Sequence, residues 1–151
     1  MKKFDYEYIG LYIDKNDILY AVPTGGNFKL DINADIDILK ILEPPYSDND
    51  IEKFVFGTLD LCYTKENEDI NAAHPLEKHF GVKRWSAAVR NLKYLNVSWS
   101  KDNGYSVNPS NKIKGGGYTE IKGRTKLLGH APQPGEMASA VKQAIEESTT
   151  F

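Results

Sequence analysis

Two histidines flank a glutamate near the middle of the chain, and side chains of these types could bind a metal. His74 and His79 are five residues apart, with Glu77 between them. A zinc-binding pair on one helix face requires a spacing of four, and a spacing of five turns the two rings away from each other. The spacing therefore favours solvated or helix-capping histidines, and we expect no metal site here.

Two other segments have part of the pattern of a ligand-binding loop. Asp31, Asn33 and Asp35 have the spacing that opens a calcium loop, but Ile36 and Leu42 replace the required glycine and glutamate. The triple glycine at residues 115–117 lacks the Gly-Lys-Ser/Thr of a phosphate-binding loop. Strand-like residues follow it, so no helix N-terminus is available to hold an anion. We expect no cofactor.

The spacing of nucleophiles and bases indicates no catalytic arrangement. Cys62 falls on the apolar face of a predicted helix, which is typical of a core position. His130 lies in a Gly-His-Ala-Pro loop with no nearby nucleophile. We therefore expect that the protein is not an enzyme and has no small-molecule substrate.

Charge is distributed unevenly along the chain. Residues 1–80 contain 16 acidic and 8 basic side chains, whereas residues 81–151 contain 5 acidic and 11 basic ones. If the two halves separate in space, the protein has two faces of opposite potential. If they interleave, its surface is an ordinary mixture of charges.

The basic half suggests an alternative function, the binding of single-stranded nucleic acid. Cations that follow the backbone and aromatic rings on which bases stack are typical of such proteins. The candidate residues are Lys112, Lys114, Tyr118, Lys122, Arg124 and Lys126. The net charge of −2 and the usual packing role of aromatic residues in strands disfavour this function.

Hydrophobic alternation predicts strands at the start of the chain. Residues 4–13 and 18–22 form a predicted hairpin, and residues 23–27 a loop. A nearly perfect period of two then predicts a strand from Phe28 to about Asn33. A helix capped by Asn33 is the alternative for the residues that follow.

Helical spacing begins after the Pro-Pro pair at residues 44–45. Ser47 and the acids that follow it predict a helix start, and apolar spacing continues the helix to Cys62. Residues 65–69 form a charged loop. Short helical turns are predicted at residues 75–79 and 85–89.

The last third of the chain predicts a sheet closed by a helix. Strand-like alternation at Val97 and Trp99 leads into a tight turn at residues 102–104 and a return strand. A further strand follows at residues 118–121, and the spacing of apolar residues predicts a helix that includes Met137 and Ile145. We therefore predict one α+β domain over residues 1–151, with a central, mostly antiparallel sheet, flanking helices and a C-terminal helix.

Bulk properties are typical of an intracellular protein. Asp5 and Glu7 interrupt what would have to be the apolar run of a secretory signal. No apolar stretch reaches the length of a membrane helix, and the lone Cys62 excludes an internal disulfide. We expect a cytoplasmic protein with no membrane association.

The C-terminal half of the chain resembles the immunity proteins of bacterial contact-dependent growth inhibition systems. The resemblance lies in an aromatic hairpin, the glycine-rich strand start, a closing helix with small residues, and the lead-in HFGVKRWSAAVRNLKYL at residues 79–95. It implies a protein that binds and silences the cognate C-terminal domain of a toxin, often a nuclease.

A nuclease partner would present a basic cleft, so we predict that the acidic half of this chain covers it. The candidate toxin-binding residues are Asp48, Asp50, Tyr63, Glu66, Glu68 and Asp69. A second possible docking mode is the addition of a toxin strand to an exposed edge of the sheet.

Overall fold

Strands dominate both ends of the chain, and most of the helices lie between them. The computed structural model describes residues 5–150, so Phe4, in the predicted first strand, lies outside the described residues. The strands are β1 (Tyr6–Ile13), β2 (Leu19–Asn27), β3 (Ile32–Asp35), β4 (Lys40–Leu42), β5 (Lys93–Ser100), β6 (Gly104–Lys112), β7 (Tyr118–Glu120) and β8 (Lys126–Gly129). The helices are α1 (Asp48–Leu59), α2 (Pro75–Phe80), α3 (Trp85–Ala88) and α4 (Glu136–Glu147).

These strands form one antiparallel sheet in the order β3-β2-β1-β5-β6-β7. β4 also pairs with β2, and β8 also pairs with β6. The central pair joins β1 to β5, from Tyr6 opposite Ser100 to Ile13 opposite Lys93. The strands of the acidic half therefore form one side of the sheet and those of the basic half the other. The predicted α+β architecture, with flanking helices and a C-terminal helix, is confirmed.

Helix α1 begins at the predicted cap. The Ser47 hydroxyl accepts a hydrogen bond from the Asp50 N–H at 3.1 Å, and the Asp50 carboxylate accepts one from the Ser47 N–H at 2.9 Å. This reciprocal arrangement is a capping box, which satisfies amide groups that have no partner inside the helix. The helix ends at Leu59, so Cys62 lies beyond it, although Cys62 is buried as predicted.

The prediction for residues 23–33 is wrong in its boundaries. β2 continues through the predicted loop, and a turn at residues 28–31 takes the place of the predicted strand start. The Asn27 side-chain oxygen accepts a hydrogen bond from the Leu30 N–H at 3.0 Å, and Asp31 has a φ of +54°. These two residues reverse the chain, and alternation of apolar residues alone does not reveal such a turn.

The helix considered after Asn33 is also absent. Asn33 lies within β3, and the short strand β4 follows a few residues later. The two strands pair with different parts of β2, so together they extend one edge of the sheet.

Helices pack on both faces of the sheet. On one face, α1 and α4 cover an aliphatic core to which β1 contributes Ile9 and Leu11. On the other face, α2 and α3 cover an aromatic core that contains Tyr12, with Tyr94 packed against it. Neighbouring side chains of a strand point to opposite faces, so β1 contributes to both cores.

The C-terminal elements follow the prediction closely. The turn at residues 102–104 joins β5 to β6, although Gly104 is the one residue in it with a positive φ, +76°. Helix α4 begins after Gly135 and buries Met137, Val141 and Ala144. No helix within residues 5–150 is both long and apolar enough to cross a membrane.

Candidate functional site

The hairpin of β1 and β2 opens at one end, and another segment of the chain fills the opening. The β1–β2 pairing extends as far as Ile9 opposite Pro23, beyond which β2 pairs with β3 instead. Residues 62–67, which follow α1, insert between the separated strands. The Cys62 thiol contacts the Tyr8 carbonyl oxygen at 3.3 Å on the β1 side.

Main-chain hydrogen bonds hold this segment at two points. The Tyr63 N–H donates to the Thr24 carbonyl at 2.9 Å, and the Asn67 N–H donates to the Gly26 carbonyl at 2.9 Å. The Tyr63 hydroxyl donates to the Tyr6 carbonyl at 3.1 Å. Tyr63, predicted as an aromatic anchor for a partner, is therefore half-buried and bonded to both strands.

Gly25 permits the close approach of this segment. A Cβ atom at Gly25 would lie 2.7 Å from the Lys65 carbonyl oxygen and 2.2 Å from Ile36 Cγ2. Side-chain atoms do not fit at such distances, so the glycine is required by packing against neighbouring atoms.

The inserted segment leads into an exposed acidic loop. Glu66, Glu68 and Asp69 are exposed, as expected for the predicted charged loop. The Glu66 carboxylate accepts a hydrogen bond from the Phe28 N–H at 3.2 Å, which connects the loop to the β2–β3 turn. The structure therefore brings these three predicted residues together on one ordered support.

A cleft of about 840 Å³ lies beside the acidic loop. Its walls come from β3, the loop and the start of α2. The charged side chains that line it are Asp35, Asp37, Glu66, Glu68, Asp69, Glu77, Lys65 and Lys78. Lys78 forms an ion pair with Asp37, so one of the two cations is already neutralised and the cleft has a negative excess.

His74 joins α2 to this cleft as a capping residue. Its Nδ1 accepts a hydrogen bond from the Leu76 N–H at 3.1 Å, and its Nε2 lies 2.8 Å from an Asp35 carboxylate oxygen. Because Nδ1 is an acceptor, the proton is on Nε2 and is donated to Asp35. The predicted capping role is confirmed. Within residues 5–150, no group of three His, Cys, Asp or Glu side chains is placed to hold a metal ion.

The other two predicted acids lie at the far end of α1. Asp48 and Asp50 are in its first turn, so the 12-residue helix, about 18 Å long, separates them from the loop. Asp48 forms an ion pair with Lys142 at 2.7 Å. Hydrogen bonding from the Ser47 backbone lowers the pKa of Asp50 below its ordinary value. Both carboxylates thus have partners within the fold.

Two of the residues proposed for nucleic-acid binding have structural roles. Lys112 is buried, and its ammonium donates to the Val89 carbonyl oxygen. Burial, together with the nearby charge of Arg90, lowers the pKa of Lys112. The Tyr118 hydroxyl donates to the Leu92 carbonyl at 2.7 Å, and burial raises the pKa of Tyr118.

The remaining cations of that set do not form a continuous track. Lys126 and Arg124 both pair with Glu147 of α4, the latter at 3.5 Å, whereas Lys114 and Lys122 are exposed. Tyr118, the aromatic residue of that set, packs against Tyr94 with ring centroids 5.0 Å apart. This arrangement does not favour a nucleic-acid platform.

Comparison with known proteins finds solved structures of similar fold. No protein-family model and no curated protein matches the sequence. A protein of unknown function from Neisseria meningitidis is similar with a TM-score of 0.71 and 13% identity, over 97% of this chain and 98% of that one. A chain of the CdiA-CT/CdiI toxin and immunity complex from Yersinia pseudotuberculosis is similar with a TM-score of 0.68 and 13% identity, over 95% and 97% of the two chains.

These chains share one fold. The resemblance predicted from the C-terminal half is therefore confirmed at the level of the fold, and it extends over nearly the whole chain.

The sequence patterns missed the surface beside the acidic loop. Phe28, Leu30 and Ile32 fall on one face of the predicted strand, but these residues are 70%, 51% and 45% exposed. The signal that could have revealed them was the pair Asn27 and Asp31, two residue types that favour turns, on either side of the apolar residues.

Proposed function

We propose that this protein is an immunity protein that binds and neutralises the toxin domain of a contact-dependent growth inhibition system. The observation that carries the proposal is the fold shared with a chain of a toxin and immunity complex over 95% of this chain. The sequence resemblance of the C-terminal half supports the same class. The inhibition would act through tight protein–protein contact in the cytoplasm, without a cofactor.

The charge of the candidate site supports a nuclease as the partner. A nuclease must attract a polyanion, so its active site carries a basic surface. The exposed carboxylates of Glu66, Glu68 and Asp69, beside a cleft with a negative excess, are complementary to such a surface. Binding there would accelerate association and exclude nucleic acid from the toxin.

Among the predicted residues, the loop acids are the first candidates for contact. Glu66, Glu68 and Asp69 are all exposed, and they lie together where main-chain hydrogen bonds hold the preceding segment in place. Asp48 forms an ion pair with Lys142, Asp50 completes the cap of α1, and both lie at the end of α1 remote from the acidic loop and the cleft. We therefore assign them a secondary role.

Calorimetric titration against the toxin domain encoded immediately upstream tests the proposal. We expect a tight one-to-one complex, loss of toxin activity in the complex and weaker binding at high salt. Single-stranded DNA serves as the control ligand and should not bind. Salt-sensitive DNA binding without a toxin complex would reject the proposal and transfer the function to the basic half.

A further inference from the structure

The turn between β2 and β3 exposes three large apolar side chains within five residues. Phe28, Leu30 and Ile32 form this group, hereafter the apolar tip. Single exposed apolar residues are common on proteins, but a cluster beside a charged rim is typical of an interaction site. Phe28 has the largest exposed fraction of the three and lies at the start of the turn.

Hydrogen bonds within the free chain hold the main chain of the apolar tip. The Asn27 side chain holds the Leu30 N–H, and β3 pairs with β2 from Ile32 opposite Asn27 onward. Asn27 itself is buried, and the Phe28 N–H donates to Glu66. A fixed apolar projection loses little conformational entropy on docking, which favours tight binding.

The rim of the apolar tip is acidic. Residues 28–37 and 65–69 contain six carboxylates and two lysines, namely Asp31, Asp35, Asp37, Glu66, Glu68 and Asp69 with Lys29 and Lys65. His74 bonds to Asp35 and Lys78 pairs with Asp37, and a negative excess remains. Two copies of this surface would repel each other, and an anionic lipid surface would also be repelled. A basic protein surface is complementary to it.

We propose that the apolar tip is the anchor of the toxin interface and inserts into an apolar pocket flanked by lysines or arginines on the toxin domain. This inference rests on the proposed function and identifies the contact that holds the complex together. Buried apolar anchors surrounded by a polar rim supply most of the binding energy in many interfaces. The tip would therefore control dissociation, whereas the acidic loop would control association.

The variant F28S/L30S tests the anchor against a matched control. The control is I113S/L127S, which changes two apolar residues that are 47% and 74% exposed, one directly after β6 and one in β8. Affinity, association and dissociation are measured with the upstream-encoded toxin domain. We expect F28S/L30S to weaken binding about 100-fold or more through faster dissociation, and I113S/L127S to leave it unchanged.

Each other outcome identifies what has failed. If the wild type binds the toxin and F28S/L30S binds equally well, the anchor is rejected while the immunity function stands. If I113S/L127S alone weakens binding, the interface lies on the other half of the sheet. If the wild type does not bind the toxin, the proposed function and the anchor are rejected together. Sedimentation of the free protein tests for self-association. If the wild type is a dimer that F28S/L30S disrupts, and the affinity for the toxin is unchanged, the anchor is also rejected.

Discussion

Glu52 supplies a helix cap that the chain cannot provide locally. Helix α4 begins after Gly135, which has no side chain to accept hydrogen bonds from the first amides of the helix. The Glu52 carboxylate, from α1, accepts hydrogen bonds from the Gly135 N–H at 3.0 Å and the Ala138 N–H at 3.1 Å. A negative charge at this position also interacts favourably with the helix dipole.

Removal of this cap should destabilise the protein. We expect E52A to lower the free energy of unfolding by about 1 to 2 kcal/mol, because it leaves amides of α4 without an acceptor. E52Q keeps an acceptor and should lose less. Urea denaturation measures the difference, and E146Q, on an exposed position of the same helix, is the control. Equal stability of E52A and E146Q would contradict the cap.

At the scale of elements, the acidic loop presents exposed charges on a main chain that is held by hydrogen bonds. β2 holds the main chain at Asn67 and, just before the loop, at Tyr63, while the acidic residues Glu66, Glu68 and Asp69 are exposed. Charges on such a surface act over a distance and affect the rate of encounter more than the lifetime of a complex.

Reversal of the loop charges should slow association with the toxin. We expect E66K/E68K/D69K to lower the association rate at low salt by about tenfold or more and to flatten its salt dependence. Stopped-flow measurements at several ionic strengths give both quantities. Because Glu66 also holds the Phe28 N–H and Asp69 holds the Asn71 N–H, E68K is measured as well, since it leaves both hydrogen bonds intact.

The control D102K/E120K/E146K changes the net charge by the same amount at exposed positions of the basic half. If it slows association as much as the loop variant, net charge alone governs encounter. Unchanged kinetics in the loop variant at low salt would remove the loop from the encounter surface.

Elements with local signals could be predicted from the sequence. The Ser47 capping box and the glycine at residue 104 depend on residues only a few positions apart, and both were correctly placed. The insertion of residues 62–67 between β1 and β2 could not be predicted, because its partners are distant in the chain. The burial of Lys112 could not be predicted either, because its acceptor, the Val89 carbonyl oxygen at the end of α3, is 23 residues away in the chain.

Alternation of apolar residues misled the prediction at the apolar tip. Phe28, Leu30 and Ile32 have the period of a half-buried strand, yet a four-residue turn takes up most of the segment. Periodicity reports which side chains share a face and not whether that face meets a core. A functional surface is where such a conflict between pattern and burial is expected.

For the molecule as a whole, the aromatic core couples stability to pH. Tyr12, Tyr94 and Tyr118 pack together, with Tyr12 and Tyr94 centroids 4.9 Å apart, and burial raises the pKa of all three. Burial, with the hydrogen bond to Asp14, raises the pKa of Tyr20 from 10.0 to about 12. The folded state therefore favours the protonated phenols.

Stability should fall at alkaline pH. A tyrosine whose pKa is raised by folding contributes its full stabilisation of the folded state at pH values below its pKa in the unfolded chain, which is near 10. For Tyr20, this stabilisation is lost as the pH rises to about 12. Urea denaturation from pH 9 to 12, with tyrosinate absorbance recorded in parallel, should show ionisation that accompanies unfolding. Y20F should reduce the slope between pH 10 and 12. Ordinary titration near pH 10 in a protein that stays folded would contradict this expectation.

The main-chain attachment of residues 62–67 has a consequence for evolution. The peptide groups of Tyr63 and Asn67 and the side chains of the same two residues hydrogen-bond the segment to the strands, and its close fit depends on Gly25. An exposed side chain next to it that makes no such contact, such as that of Glu68, can therefore be exchanged by mutation without loss of the path of the chain. Under the proposed function, a lineage that meets a new toxin could change such exposed residues on an inherited framework, and selection for specificity would be partly uncoupled from selection for folding.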